Sequence, residues 1–209
     1  MDEEIQKNYD FEYKIITLGD SGVGKTSIIN RFVFDTFRND EYLTLGIKYS
    51  FKILKVGNDN NLKLNVIDTN GQEKYRSLSI SYFRNVDVVL FVFDLSQNIS
   101  FENIQDWINY FNDNNSGKYT KKKFLIGNKN DLEQKVDEDL IHEFAKKNNL
   151  QYWAVSAKTS NQINILFQFI AEELYDEAIP KSNTCVKTQK SRVLSETNSL
   201  KEKKEKKCC

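Results

Sequence analysis

The chain has 209 residues, 39% hydrophobic and 12% aromatic, which suits one ordinary domain with a real core plus a tail and excludes full disorder. Lysine plus arginine number 30 and aspartate plus glutamate 30, and the resulting zero net charge argues against a general nucleic-acid binder, which carries a basic excess. The charge is unevenly spread: from Lys181 onward nine basic residues face three acidic ones, net +6, which leaves 21 against 27, net −6, in the first 180 residues. A basic tail on an acidic body suits an anionic surface such as a membrane leaflet. No run of about 18 apolar residues provides a spanning helix, and the acidic start MDEE does not read as a signal peptide, so a cytosolic protein is expected. Cys185, Cys208 and Cys209 lie in the tail, where they cannot staple the body.

Residues 13–18 form a short apolar run that ends in a glycine loop, and 26–34 read as a helix. Residues 47–56 alternate Ile47, Tyr49, Phe51 and Ile53 with Lys48, Ser50 and Lys52, the period-2 pattern of a half-exposed strand. A turn over 57–61 leads to a second strand over 62–67, making a hairpin. Residues 86–93 and 123–126 are nearly continuous apolar runs suited to central strands covered on both faces. Between them Phe101, Ile104, Trp107, Ile108 and Phe111 recur at helical spacing, and Val136, Leu140, Ile141, Phe144 and Ala145 mark the apolar stripe of a further helix. The last strand covers 151–155, and the last helix carries Ile163, Leu166, Phe167, Ile170, Ala171 and Leu174 behind a Thr159/Gln162 capping-box pattern. Alternating strands and helices imply an α/β fold: a six-stranded, mixed but mostly parallel sheet with helices on both faces and the hairpin at an edge. The expected organisation is an N-terminal extension over 1–10, one domain over 11–180 and a disordered tail over 181–209.

Three polar motifs interrupt this pattern. GDSGVGKT (Gly19, Asp20, Ser21, Gly22, Val23, Gly24, Lys25, Thr26) matches GxxxxGK[ST] between a strand and a helix; its glycines let backbone N–H groups turn toward phosphates, Lys25 reaches the β- and γ-phosphates, and the Thr26 hydroxyl ligates Mg²⁺, with Ser27 next in the helix. NKND follows a predicted central strand, where an acceptor-only Asp131 suits the N1–H and 2-amino group of guanine, while Asn128 and Lys129 flank it. Adenine offers neither donor, and an unpaired carboxylate there costs a few kcal/mol. Ser156, Ala157 and Lys158 close the pocket after the last strand. In VIDTNGQE, Asp68 holds Mg²⁺ through a water, the Gly71 N–H approaches the γ-phosphate and Gln72 orients an attacking water.

In order and spacing, GDSGVGKT, Thr44, DTNGQE, NKND and SAK resemble the small GTPases of the Ras superfamily over roughly residues 11–178. LGIKY, KLNVI, KYRSLS, YFRNV, FVFDLS and the terminal Cys-Cys resemble its Rab branch. The resemblance implies a small G-protein fold that cycles between GTP and GDP with Mg²⁺ in vesicle traffic. It also implies that Thr44 is the first switch's threonine, catalytic alongside Lys25, Gly71 and Gln72 and binding Mg²⁺ with Thr26 and Asp68, and that Phe37 packs near the base. Further implications are geranylgeranyl groups on Cys208 and Cys209, and a monomer on the cytoplasmic face of an intracellular membrane, Golgi or endosomal, and in the cytosol. Implied partners are effectors, an exchange factor, a GTPase-activating protein, a GDP-dissociation inhibitor and a prenylation escort protein, with no nucleic acid. Three departures from the Rab pattern stand out: Ile67 in place of tryptophan, Asn70 in place of alanine, and Tyr42 two residues before Thr44 rather than three. Asn70 keeps open an alternative in which a GTP-held scaffold has impaired hydrolysis. His142, the only histidine, is expected at a helix surface or boundary without a role.

Overall fold

The computed structural model describes residues 8–38, 48–69, 80–115 and 120–179, with the side chains of Ile80 and Ser81 excepted. Thr44, Asn70, Gly71, Gln72, Cys208 and Cys209 lie outside the described residues, as do Tyr42 and the tail. In chain order the elements are β1 (Phe11–Leu18), α1 (Lys25–Phe34), β2 (Lys48–Val56), β3 (Asn60–Asp68), a 3-10 turn (Ile80–Phe83), β4 (Val88–Asp94), α2 (Asn98–Glu102), α3 (Ile104–Asn114), β5 (Lys122–Asn128), α4 (Glu138–Lys147), β6 (Gln151–Ala154) and α5 (Ile163–Ala178). The six strands make one sheet in the order β2-β3-β1-β4-β5-β6. Only the β2–β3 pair is antiparallel, and β2 is the edge strand, as the hairpin pattern implies.

Every residue of β4 is buried, which explains its unbroken apolar run. On one face of the sheet α1 and α5 pack over Ile15, Leu64, Val66 and Leu90, with the rings of Phe32 and Phe167 stacked at 3.7 Å. On the other face the α3 stripe of Ile104, Trp107, Ile108 and Phe111 packs against Val89, Phe91 and Phe93, together with Ile141 and Ala145 of α4. β1, β3, β4 and β5 run parallel, so their carboxyl ends share one edge, where open α/β sheets bind ligands.

Local departures from the sequence pattern have physical causes. The apolar set of β2 is the solvent-facing one: Tyr49 is 61% and Phe51 58% exposed, while the Lys52 ammonium turns inward, donates to the Phe32 carbonyl at 2.6 Å and lies over the Phe32 ring. The helical run from Phe101 to Phe111 is two helices, because the chain turns at Asn103. Leu140 is exposed rather than on the buried stripe of α4, whose start is capped instead by Asp137 accepting from the amides of Asp139 and Leu140. No Thr159/Gln162 capping box forms. Gln162 is itself the residue before α5, in a left-handed conformation (φ 61°) without a side-chain cap, and the Thr159 amide donates to the Ser156 hydroxyl. His142 lies on the exposed side of α4, 3.8 Å from Glu138.

Candidate functional site

β1 stops at Leu18 because the next residues cannot continue a strand beside β4. A Cβ on Gly19 would meet the Val92 carbonyl oxygen, so only glycine lets the chain turn under the sheet edge here. The loop climbs to Ser21 and Gly22, both exposed, and returns through Gly24 (φ 94°), where a side chain would strike the Asn128 amide. α1 then begins at Lys25 without a side-chain cap and without an acidic residue in its first turn, which leaves Thr26 and Ser27 at the positive end of the helix dipole.

Lys25 is 5% exposed, and its ammonium donates to the carbonyls of Gly19 (2.8 Å) and Asp20 (2.6 Å). Burial, offset in part by the nearby Asp68 and Asp20 carboxylates, brings its pKa down to about 8. A buried cation held by neutral carbonyls under a glycine loop is poised for an anion. The Thr26 hydroxyl donates to Asp68 Oδ2 at 2.7 Å, so a helix start and a strand end bring two hard oxygen donors together. That donor set fits Mg²⁺, which prefers a carboxylate or hydroxyl supplemented by water and phosphate. Asp68 is held in place because the Thr69 hydroxyl donates to the Thr17 carbonyl (2.7 Å) and the Thr17 hydroxyl donates to the Ile67 carbonyl (3.2 Å).

The second half of the site lies at the ends of β5 and β6. Asn128, 2% exposed, spans the two halves: its amide donates to the Val23 carbonyl at 2.8 Å and its oxygen accepts from the Ala157 amide at 3.2 Å. Lys129 takes a left-handed conformation (φ 64°), and its ammonium lies 2.7 Å from buried Asp94. Asp131 Oδ1 accepts from the Ser156 hydroxyl at 2.5 Å, and the Lys158 ammonium is 3.8 Å from Oδ2. Phe37 is half-buried and packs against the α1/α5 side of the core.

Three contacts carry no signal in the sequence, because their partners are more than 30 residues apart. Arg31 of α1 donates to the carbonyls of Ala157 (2.9 Å) and Lys158 (3.2 Å), tying the phosphate-side helix to the loop after β6. Asp94 anchors Lys129. Asp20 turns its carboxylate toward Asn103 and Trp107.

A family model described as Ras family matches residues 14–176. Ras-related protein Rab-13 of Canis lupus familiaris is 34% identical over 170 residues, spanning 80% of this chain and 82% of its own, and Rab-13 of Bos taurus shows the same values. Ras-related protein Rab-1 of Theileria parva is 35% identical over 177 residues, 82% of this chain and 78% of its own. The chain is a Rab-type small GTPase of the Ras family.

In this Rab GTPase the position that departs from the family's tryptophan, Ile67, is 1% exposed. With Lys14, Tyr49, Ser50, Phe51 and Asn65 it lines a hollow of about 310 Å³ on the outer face of the hairpin. Tyr82, shortly after residue 79, brings its ring to 5.5 Å from that of Tyr49.

Proposed function

We propose that this Rab GTPase is a membrane-tethered switch of vesicle traffic that binds GTP and GDP in the two-part site, hydrolyses GTP slowly, and depends on an activating protein to complete the cycle. The observation that carries the reading is Asn128. One buried side chain joins the loop over Lys25 to the loop that presents Asp131 and Ser156, so a phosphate cradle and a base pocket belong to one rigid edge.

In this reading the backbone amides of residues 19–24 and the start of α1 bind the phosphates, with Lys25, oriented by the carbonyls of Gly19 and Asp20, turning its third donor to the β- and γ-oxygens. Asp131, oriented by the Ser156 hydroxyl, accepts the two guanine donors, and Phe37 and Lys129 flank the base. Thr26 and Asp68 hold Mg²⁺, joined by Thr44 in the GTP state; when bound, the ion neutralises charge that builds on the phosphates. Gln72 orients the attacking water beside Gly71. In this reading the activating protein supplies an arginine to the transferring phosphate.

The effector surface combines residues 37–49 and 68–82 with the aromatic hairpin face. Supporting this, the Tyr49–Tyr82 contact joins the chain just after the first segment to the chain near the end of the second, and the exposed rings with a hollow beneath them offer anchors for a partner. Tethering rests on geranylgeranylation of Cys208 and Cys209 plus the basic tail, the two signals that stable anchoring requires. The escort protein, the GDP-dissociation inhibitor, the exchange factor and a Golgi or endosomal address follow the same reading. Among the described residues no helix is long and apolar enough to cross a membrane.

Titrating the full chain with fluorescent GDP, GTP and ATP analogues in Mg²⁺ tests the reading. Tight binding of both guanine nucleotides is expected, with ATP weaker by a factor of at least about 10³, since a site built to hydrogen-bond a group rejects the analogue lacking it. Comparable ATP binding would overturn the assignment of Asp131.

A further inference from the structure

Asp20 places a carboxylate in the loop that faces phosphate. Its charge is turned the other way: Oδ1 accepts from the indole Nε1 of Trp107 at 2.7 Å, and Oδ2 accepts from the side-chain amide of Asn103 at 2.8 Å. Both donors are neutral N–H groups at charge-assisted distances, and Trp107 is 2% exposed, so the donor side of its bond is buried. The carbonyl of the same residue accepts from the Lys25 ammonium at 2.6 Å. One residue therefore grips Lys25 with its backbone and α3 with its side chain.

The far end of α3 makes a second connection. The Trp107 ring lies edge-on to Tyr110 at 6.1 Å, and Tyr110 and Phe111 pack on Phe83 at 5.4 and 5.2 Å. Phe83 ends the turn that follows the Gln72 segment. α3 is thus a beam between the start of the phosphate loop and the end of the second switch segment.

We infer that Asp20, Trp107 and Asn103 form a latch, and that Trp107 and Asn103 are positioning residues for nucleotide retention. The inference rests on the nucleotide-binding reading above. Closed, the latch fixes the first turn of the loop and holds the Asp20 charge away from the bound phosphates. Opened, it frees a negative charge to swing toward a polyanion and loosens the carbonyl that orients Lys25.

The test loads the full chain with a fluorescent GDP analogue in Mg²⁺ and follows its release into excess GDP. Trp107→Phe keeps a ring in the core and removes the N–H; Asn103→Ala removes the second donor. Phe111→Leu is the control, since it loosens the same helix without touching Asp20. A lost hydrogen bond to a charged group corresponds to release about tenfold faster or more for Trp107→Phe, and several-fold for Asn103→Ala. Phe111→Leu lowers the melting temperature and leaves release within about twofold of the parent, in keeping with an effect on core packing alone. Adding Asp20→Ala to Trp107→Phe brings less than the product of the two single effects, because both act through one bond. Release unchanged in Trp107→Phe, or accelerated equally by Phe111→Leu, would overturn the latch. If Trp107→Phe does not fold, Asn103→Ala decides by the same criterion. If the parent chain binds no GDP analogue, the nucleotide reading fails first and the latch falls with it.

Discussion

Replacing Asn128 with alanine removes two hydrogen bonds that no other group can replace. The Val23 carbonyl loses a donor at 2.8 Å and the Ala157 amide loses an acceptor at 3.2 Å, in a place where Asn128 itself is 2% exposed. Each buried group left unsatisfied costs about 1–3 kcal/mol, so the pair costs about 2–6 kcal/mol. Both bonds lie within the folded chain, so part of this cost appears as a lower melting temperature. The rest appears as faster nucleotide release, because the cradle and the base pocket are no longer held in register. Asn128→Ala should therefore be followed by thermal unfolding and by release of a fluorescent GDP analogue, with the two effects added as free energies. A sum below about 1 kcal/mol in a folded variant would refute the claim that Asn128 ties the two halves together.

Three other outcomes are expected. Glu12 accepts from Asn65, Lys63 and Tyr9, and the Asn65 bond, followed by that of Lys63, lowers its pKa from 4.5 to about 2. Its stabilising contribution is present above pH 4.5 and is lost as pH falls toward 2; at this exposed site it is under about 1 kcal/mol, and Glu12→Gln should flatten the stability–pH curve measured by urea unfolding across that window. Gly57→Ala should cost at least about 1–2 kcal/mol in chemical unfolding, since Gly57 is left-handed (φ 54°) and its new methyl would strike the Tyr175 ring, which packs on Phe11 and whose hydroxyl accepts from Asn60 at 2.7 Å; a neutral result would mean that the turn rearranges freely. In single-turnover phosphate release, slow hydrolysis little changed by Asn70→Ala would identify a timed switch that tolerates Asn70, whereas release only after the substitution would favour the GTP-held scaffold.

Local chemistry made the site legible in the sequence. Glycine spacing, a lysine and a hydroxyl at a strand-to-helix junction, and an acid and amide after an apolar strand are short-range patterns that need no knowledge of the fold. The buried strand β4 and the stripes of α3 and α5 were legible for a similar reason: burial on one face imposes a period. Period alone does not say which face is inside. On β2 the strand packs beside α1, where Lys52 finds the Phe32 carbonyl and ring, and Tyr49 and Phe51 are left to solvent; only the assembled sheet decides that. The start of α5 departs from the sequence pattern because Ser156 takes the Thr159 amide that a capping box would give to the Gln162 side chain.

By itself, then, the sequence determined the alternation of strands and helices, the edge hairpin and the residue types proposed to meet phosphate and base, because these follow from neighbours along the chain. The tertiary structure alone decided that Asn128 spans two loops, that Arg31 holds the loop after β6, and that Asp20 faces Trp107. Each of those bonds joins groups from 29 to 126 residues apart, and a hydrogen bond depends on a few tenths of an ångström that only the packed sheet and helices set.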